Sequence, residues 1–558
     1  MCFSQSGPQL DPGGLLYTSA MTRSMESDVL VIGGGLAGIV TALECLRAGQ
    51  SVTLVDRDTP ARFGGLALWA FGGMALVGTP LQARMKIDDT PERALRDWLR
   101  FGELDPADHW SRAWAEHYVE RSRPDVHDWL IGEGIKFMPA VNWVERGRAG
   151  DGNSVPRYHI VWGTARELVR RLAGALQKAD GDGHLRLLHR HRAISLDHQA
   201  GRVSGALAVD ESSGREVRLQ AGAVVLAMGG INGSHEQCRA NWPTDRARPA
   251  AMLNGAHPFA DGQLHHHTRD QLDGQIVNAG EMWNYAAGFP HPYPHFAGHG
   301  LSAIPCKSAL WLDHLGQRIG PEPLVTGFDT HWLCQRVAEQ EKPWTWHLLN
   351  RRIALKEFAI SGAEHNVRIR DKQFLRFMKN TLLGNHELVD QMQREVDDFL
   401  VDDSLAGLAE KMNALTTSHD IDPAVLETTM DAFDANFSSG NPQDDAQIRR
   451  IEHARQWGPD KLRTCKPAPL KKPGAGPFIA IRMQLITRKS LGGLRTDLQS
   501  RVLDGQGEPV AGLYCVGEAA GFGGGGSNGK RSLEGTFLPG CILTARAAAR
   551  SIQSAGGA

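Results

Sequence analysis

Gly33, Gly35 and Gly38 stand at i, i+2 and i+5, directly behind the apolar run VLVI (29–32) and ahead of a helical pattern carrying Ala42, Leu43 and Leu46. A second apolar run, SVTLV, ends in Asp56, 18 residues beyond Gly38. At that spacing Gly33 permits a tight turn, Gly35 lets the backbone approach a pyrophosphate, and Gly38 lets the helix pack closely on the strands. The helix start offers free N–H groups and partial positive charge to phosphates. Asp56 can accept hydrogen bonds from an adenosine ribose. The expected chemistry is dinucleotide binding, with Leu36, Ala37 and Arg57 among the contacts. Four further side chains could move a proton or polarise a carbonyl. Tyr285, in MWNYAAGFPHPYPHF, is the first choice of base in a chain of only six tyrosines, ahead of Tyr293. His159 titrates near neutrality. Arg531 can grip a carbonyl or carboxylate with two N–H groups, and Lys489 is a second cation. No GxSxG marks a hydrolase, and no His, Asp or Glu grouping is read as having metal-ligand spacing, so no metal is expected.

The elements that must position these groups read as follows. VLVI is a buried parallel strand, followed by turn, helix and second strand. RFGGLALWAFGGMALV (62–77) carries two Gly-Gly pairs that suit backbone packed against an extended cofactor. GAVVLAMGG (222–230) is another buried strand ending in small residues, and HRHRAISLDHQAGRVSGALAVD is a small antiparallel meander turning at Gly201. Late in the chain a hairpin at DGQGEPVAG leads into LYCV and Gly517-Glu518, then the run GFGGGGSNGKRSLEGTFLPGC (521–541) and a last helix. Pro539 fits that helix's first turn. The glycine run reads as backbone close against a bound ring. HHH at 265–267 reads as a solvated helix face.

A chain of 558 residues suggests two to four domains, or two with one interrupting the other. A net charge of -2 gives no argument for nucleic acid or an anionic membrane surface. No apolar stretch approaches the ~18 residues of a membrane span. Residues 1–25, polar and Pro/Gly-rich, read as a disordered extension. Eight cysteines without a CxxC pair suit reduced thiols and a cytoplasmic enzyme.

The glycine pairs after Asp56 and the Gly517-Glu518 strand end resemble the flavoproteins related to fumarate reductase, succinate dehydrogenase and 3-ketosteroid dehydrogenase. LWAFGGMALV, GNSVPRYHIVWGT, GAHPFADGQ, EFAISGAEHN, SLGGLRTD and GKRSLEGTFLPGC, in that order, resemble a bacterial group of FAD-binding dehydrogenases related to 3-ketosteroid-Δ1-dehydrogenases. The resemblance covers nearly the whole chain after residue 26. It implies an α/β fold: a discontinuous Rossmann-like FAD-binding domain (26–252 and 463–558) with an inserted α+β cap, or substrate, domain (253–462). It implies FAD held by Gly64, Gly65, Leu66, Ala67, Gly72, Gly73, Ala193, Ala227, Gly229, Gly230, Asp261, Gly517, Glu518, Gly535, Thr536 and Phe537, with Glu518 on the ribitol. Relatives that bind FAD covalently place a histidine just before the first glycine pair. Residues 57–66 contain none, so the FAD is expected to be non-covalent.

The resemblance also implies chemistry, with departures. NGKRSLEG resembles the stretch whose arginine clamps a fumarate reductase's substrate, giving Arg531 that role. RKSLGG replaces a histidine-bearing stretch, which brings in Lys489. Ketosteroid dehydrogenases carry a tyrosine before the last helix, where this chain has Ser532. The leading expectation is dehydrogenation of a CH–CH bond beside a carbonyl on a hydrophobic, ketosteroid-like substrate. The alternative is a fumarate-reductase-like ene-reductase acting on an unsaturated carboxylate or enone, distinguished by Arg531 facing the flavin. Partners would be that substrate and an electron acceptor or donor, without nucleic acid or membrane span; the chain could also form a homo-oligomer.

Overall fold

The structure, a computed structural model, describes residues 23–181, 183–438, 441–531 and 533–556. An eight-stranded sheet forms around β1 (Arg23–Ile32), β2 (Val52–Asp56), β6 (Leu185–His189), β7 (His191–Gln199), β8 (Arg202–Asp210), β9 (Glu216–Leu226), β17 (Arg501–Leu503) and β18 (Pro509–Cys515). Its order is β17-β18-β8-β9-β1-β2-β6, with β7 paired to β8. β1 runs parallel to both β2 and β9, and β18 parallel to β9 through Leu513↔Val224 and Cys515↔Leu226. Residues Val29 to Leu30 of β1 and Val224 to Leu226 of β9 are fully buried, as strands covered on both faces must be. Helix α1 (Leu36–Arg47) packs on this sheet beside the last helix, α4 (Phe537–Gly556), burying Ile39, Val40, Leu43, Ile542 and Ala545 between them.

Arg23–Met25 were expected in the N-terminal extension. They are strand, in register with Val217–Leu219, because the eleven-residue β9 offers partners beyond the apolar core of β1. Residues 1–22 of that extension lie outside the described residues.

A three-stranded sheet of β3 (Gly73–Ala75), β4 (Phe137–Asn142) and β5 (Tyr158–Val161), ordered β3-β5-β4, stands beside the first. Helix α2 (His109–Arg121) lies between them in sequence and packs its Trp114 and Tyr118 into the same core. The second eight-stranded sheet contains β10 (Met282–Pro290), β11 (Gly300–Ile304), β12 (Leu310–Leu312), β13 (Thr345–Asn350), β14 (Ala359–Ile360) and β16 (Phe478–Ser490), ordered β12-β13-β16-β10-β11-β14. Leu253–Asn254 and β15 (Phe399–Asp402) also pair with β16, and α3 (Thr330–Ala338) packs on β10. Trp311, Trp346 and Phe289 sit in its core.

β16 was expected with the carboxy-terminal FAD segment, yet it is the middle of this second sheet. Its thirteen residues are long enough to pair β13 at one end and β10 at the other. The chain returns to the first sheet only at β17. The architecture is mixed α/β.

Candidate active site

One cavity of about 460 Å³ runs from the β1–α1 turn to the face of the second sheet. At one end Gly33 has φ +112, and a Cβ there would fall 2.3 Å from Ala227 O, so the turn admits only glycine. Gly38 does not line the cavity. Its Cβ would meet Gly33 O at 1.9 Å, which is the close helix–strand packing expected of it. Gly35 is the opposite case, since a Cβ there meets nothing within 4 Å and points into open space. Gly34 O accepts from Gly64 N at 2.9 Å, which lays the first glycine pair along the turn. Leu36, Ala37, Gly65, Leu66, Ala67, Gly72 and Gly73 continue the wall.

Asp56 closes β2 as expected, with Oδ1 accepting Asp58 N at 2.8 Å; burial raises its pKa. Arg57 bridges Glu211 (3.0 Å) and Asp261 (3.0 Å), tying the end of β2 to the loop before residue 263. Ala193, Ala227, Gly229 and Asp261 line the same region. Glu518 is half-buried and accepts Ser490 N at 2.9 Å; burial raises its pKa. Gly230 does not reach the cavity. It makes room for Glu518, whose Oε1 would sit 2.4 Å from a Cβ at 230. Gly517 likewise supports from behind, against Ala37, while Gly535 O accepts Ala75 N at 2.8 Å and Thr536 donates to Asn528 at 2.8 Å. Phe537 and Leu538, opening α4, line the cavity. An open glycine cradle, a helix start and a carboxylate acceptor in the wall fit the pyrophosphate, adenosine and ribityl parts of FAD.

The glycine run is placed differently from its reading. Gly523, Gly524, Gly525 and Gly526 do not line the cavity. A Cβ on Gly523 would meet Trp114 at 2.6 Å, and on Gly524 the backbone of Trp110 and Ser111 at 2.6–2.7 Å. Gly525 and Gly526 face Val277 and Asn278. The close approach is real, but its object is helix α2 and the strand end at Val277 and Asn278.

On the cavity's other side Tyr285 donates its hydroxyl to Glu534 Oε2 at 2.9 Å, and Trp283 donates to the same oxygen at 2.9 Å. Burial first, then Glu534, holds the Tyr285 phenol well above its usual pKa. Lys489 lines the wall with its Nζ 4.2 Å from the Phe537 ring centroid. Burial, then Arg488, lowers its pKa to about 8. Tyr158 lines the cavity too, lying over Gly73 so closely that a Cβ there would fall 1.8 Å from its ring. Burial raises the Tyr158 pKa, with Glu534 adding to it.

His159 and Arg531 are not part of this wall. The side chains of a strand alternate between its faces, so β5 turns Tyr158 to the cavity and His159 into the core. His159 is fully buried, with Nε2 on Thr79 Oγ1 (2.8 Å) and Nδ1 on Arg157 O (2.7 Å); burial lowers its pKa to about 4. Arg531 pairs with Glu103 (3.1 Å) and Asp329 (3.5 Å), and not with Glu534. Two acids from distant segments draw it away. Ser532 lies outside the described residues.

Two histidine groupings also depart from expectation. His265 is buried, with Nε2 on Ala519 O at 3.1 Å, so the HHH face is not solvated throughout. His291, His295 and His299, spaced by four, each bring a ring nitrogen within 4.8 Å of the others, and His291, Glu364 and His365 do the same with two ring nitrogens and a carboxylate oxygen. His291 Nδ1 accepts Tyr293 N at 2.9 Å and His299 Nδ1 accepts His295 N at 3.3 Å. Their Nε2 atoms therefore carry the protons of the neutral rings, and His291 donates to Glu364 at 3.3 Å. This is a hydrogen-bonded cluster, stacked on Trp69 through His295, and no metal is assigned to it.

Sequence reading also missed Glu145. It lines the cavity at φ +51, a conformation that costs a non-glycine residue ~1 kcal/mol or more. Its carboxyl accepts both the Thr330 hydroxyl and Thr330 N (3.1 Å). Burial raises its pKa to about 8, against the Thr330 hydrogen bonds. The native state thus holds this proton from the usual carboxylate range up to about pH 8, while the unfolded chain has already released it. Stability attributable to Glu145 is full at low pH and falls as pH rises through that window. Melting temperature measured from pH 5 to 9 should fall less in Glu145→Gln than in wild type. Equal slopes would remove Glu145 as the source.

A cavity with one half open to an extended dinucleotide, and the other walled by titratable side chains, places the chain among FAD-dependent oxidoreductases. More particularly, it belongs to the family described as FAD binding domain, matched over residues 28–538, and FAD is its cofactor. It is 38% identical over 550 residues to a KsdD-like steroid dehydrogenase of Mycobacterium tuberculosis, covering 95% of this chain and 96% of that one. Its fold is similar to that of 3-ketosteroid delta1-dehydrogenase from Sterolibacterium denitrificans in complex with 1,4-androstadiene-3,17-dione (TM-score 0.69, 16% identity, 95% and 100% of the chains). It is also similar to the open conformation of a flavocytochrome c3 fumarate reductase (TM-score 0.67, 19% identity, 95% and 79%). No helix among the described residues is long and apolar enough to cross a membrane.

Proposed function

We propose that the protein dehydrogenates a CH–CH bond beside a carbonyl on a ketosteroid-like substrate. The first sheet would form a discontinuous FAD-binding domain, and the second sheet, continuing to Ser490, a cap that closes over the substrate. The observation that carries this reading is the Tyr285–Glu534 hydrogen bond in the cavity wall, in a chain 38% identical over nearly its full length to a KsdD-like steroid dehydrogenase.

Bound FAD supplies two-electron, hydride-accepting chemistry. The chain's own residues have separate tasks. Tyr285 takes the proton α to the carbonyl as its own hydroxyl proton passes to Glu534, which Trp283 holds in place. Tyr158, kept protonated by burial, and the Lys489 ammonium are the donors available to the carbonyl oxygen. Buried apolar neighbours such as Phe522 and Phe537 keep water away from the proton transfer. The ene-reductase reading draws on Arg488 and Lys489, two cations in the wall, but Arg531, the expected carboxylate clamp, stands outside it.

Mixed anaerobically with a saturated 3-ketosteroid, the yellow protein should lose its visible flavin band. Reoxidation of the reduced protein by an unsaturated acid, with no bleaching by any ketone, would overturn the assignment. The FAD is proposed to be non-covalent, since the histidines lining the cavity are otherwise engaged: His257 with Asp58 at 3.4 Å and His191 with His189 O at 2.7 Å. Acid precipitation should therefore leave the yellow colour in the supernatant. Colour retained in the pellet would mean a covalent link.

A further inference from the structure

The helix Phe374–Leu383 (FLRFMKNTLL) has no buried residue. It exposes Phe374 (45%), Leu375 (84%), Leu382 (61%) and Leu383 (68%), and Leu462 (45%) extends the patch from the helix Gly458–Arg463 packed against it. At the helical period, Phe374, Leu375 and Leu382 share one stripe about 100° wide. Lys379 borders it and Arg376 lies further round the helix, both exposed, and Arg376 reaches the Gln373 amide oxygen (3.4 Å) instead of a carboxylate. Phe377, Asn380 and Thr381 are half-buried. The apolar side chains thus point outward with cations on their flank, the pattern of a helix lying at the headgroup boundary of a bilayer.

Position and size favour the same occupant. Gly458–Arg463 gives Asp460 and Arg463 to the cavity wall, and Asn366, which opens the short helix Val367–Arg370 packed on Phe374–Leu383, lines it as well. A patch built from five side chains exposes on the order of a few hundred Å². A stable dimer needs about 800 Å² from each partner. A second copy of this chain is the weaker fit.

We propose that Phe374–Leu383, with Leu462, docks the protein onto an anionic lipid surface beside its cavity. The docking stands whatever the substrate is; a route for an apolar substrate from lipid to cavity would rest in addition on the desaturase reading. The test is flotation of the FAD-loaded protein with vesicles of phosphatidylcholine alone and of phosphatidylcholine mixed with phosphatidylglycerol. The expected result is flotation with the mixed vesicles that weakens as salt is raised. A Leu375→Glu/Leu382→Glu variant, its flavin spectrum and melting temperature unchanged, should lose at least ten-fold of the bound fraction. Arg376→Glu/Lys379→Glu should lose the preference for phosphatidylglycerol. Wild-type protein left at the bottom of the gradient, or a leucine variant that floats equally well, would overturn the proposal. So would a dimer that the leucine substitutions split without any vesicle binding by wild type.

Discussion

Tyr285→Phe should slow flavin reduction by a saturated ketone by about 100-fold or more, the usual worth of a positioned acid or base, while the bound FAD stays unchanged. The expectation follows from where the hydroxyl sits. It is 2.9 Å from a carboxylate oxygen that also holds the Trp283 indole N–H, so removing it leaves Glu534 in place with one donor fewer. Burial and Glu534 both oppose the phenolate, so in the proposed reaction Tyr285 would work as a neutral phenol that accepts one proton while passing on another. The pH profile should accordingly show no phenolic limb below about 10. Tyr293→Phe is the internal control: that ring is 60% exposed and lies outside the wall, so its loss should leave the rate unaltered. Equal rates in Tyr285→Phe and wild type would move the base elsewhere, with Glu534 itself the first residue to try. Stopped-flow absorbance under anaerobic conditions separates this step from reoxidation.

The dinucleotide half of the site was legible in the sequence because its demands are local. A tight turn, a helix start and a strand end each need particular residues within a few positions, and Gly33, Gly35 and Asp56 are found where those demands put them. The other half depends on which face of an element meets the cavity, and neighbours in sequence then part company. His159 attracted notice for its titration, yet β5 sends it inward and presents Tyr158. In KRSLEG the arginine was read as the site residue, and Glu534 was given no role. The structure puts Glu534 in the cavity wall instead, because Glu103 and Asp329, remote in sequence, pair with Arg531. Glu145 gave no signal beyond being an acid in VERG; its meaning comes from Thr330, at the start of α3. Similarly, nothing local in Phe478–Ser490 says which sheet it joins. A long apolar strand serves either, and only its partners β10 and β13 decide.

The glycines allow the sharpest separation of cofactor binding from folding, by setting Gly35→Val against Gly524→Val. Gly35 has φ -73, open to any residue, and a Cβ there touches no protein atom within 4 Å. Valine at 35 therefore fits the folded chain and fills the space into which the cofactor backbone must come. The expected product is a colourless protein with wild-type far-ultraviolet circular dichroism. Its melting temperature should match that of wild-type apoprotein, since the FAD contribution is the part it lacks. Gly524 has φ +66, and a Cβ there would meet the Trp110 carbonyl carbon at 2.6 Å and Ser111 N at 2.7 Å. Those are backbone atoms of helix α2, whose Trp114 is buried in the main core. Valine at 524 must adopt a strained backbone and push the helix outward together, a loss of several kcal/mol by the usual scale of overpacking and left-handed strain. Insoluble or low-melting protein is expected, with the fraction that folds still binding FAD. Should Gly524→Val instead fold normally and come out colourless, the glycine run would touch the cofactor after all, and the close packing on α2 would be incidental to it.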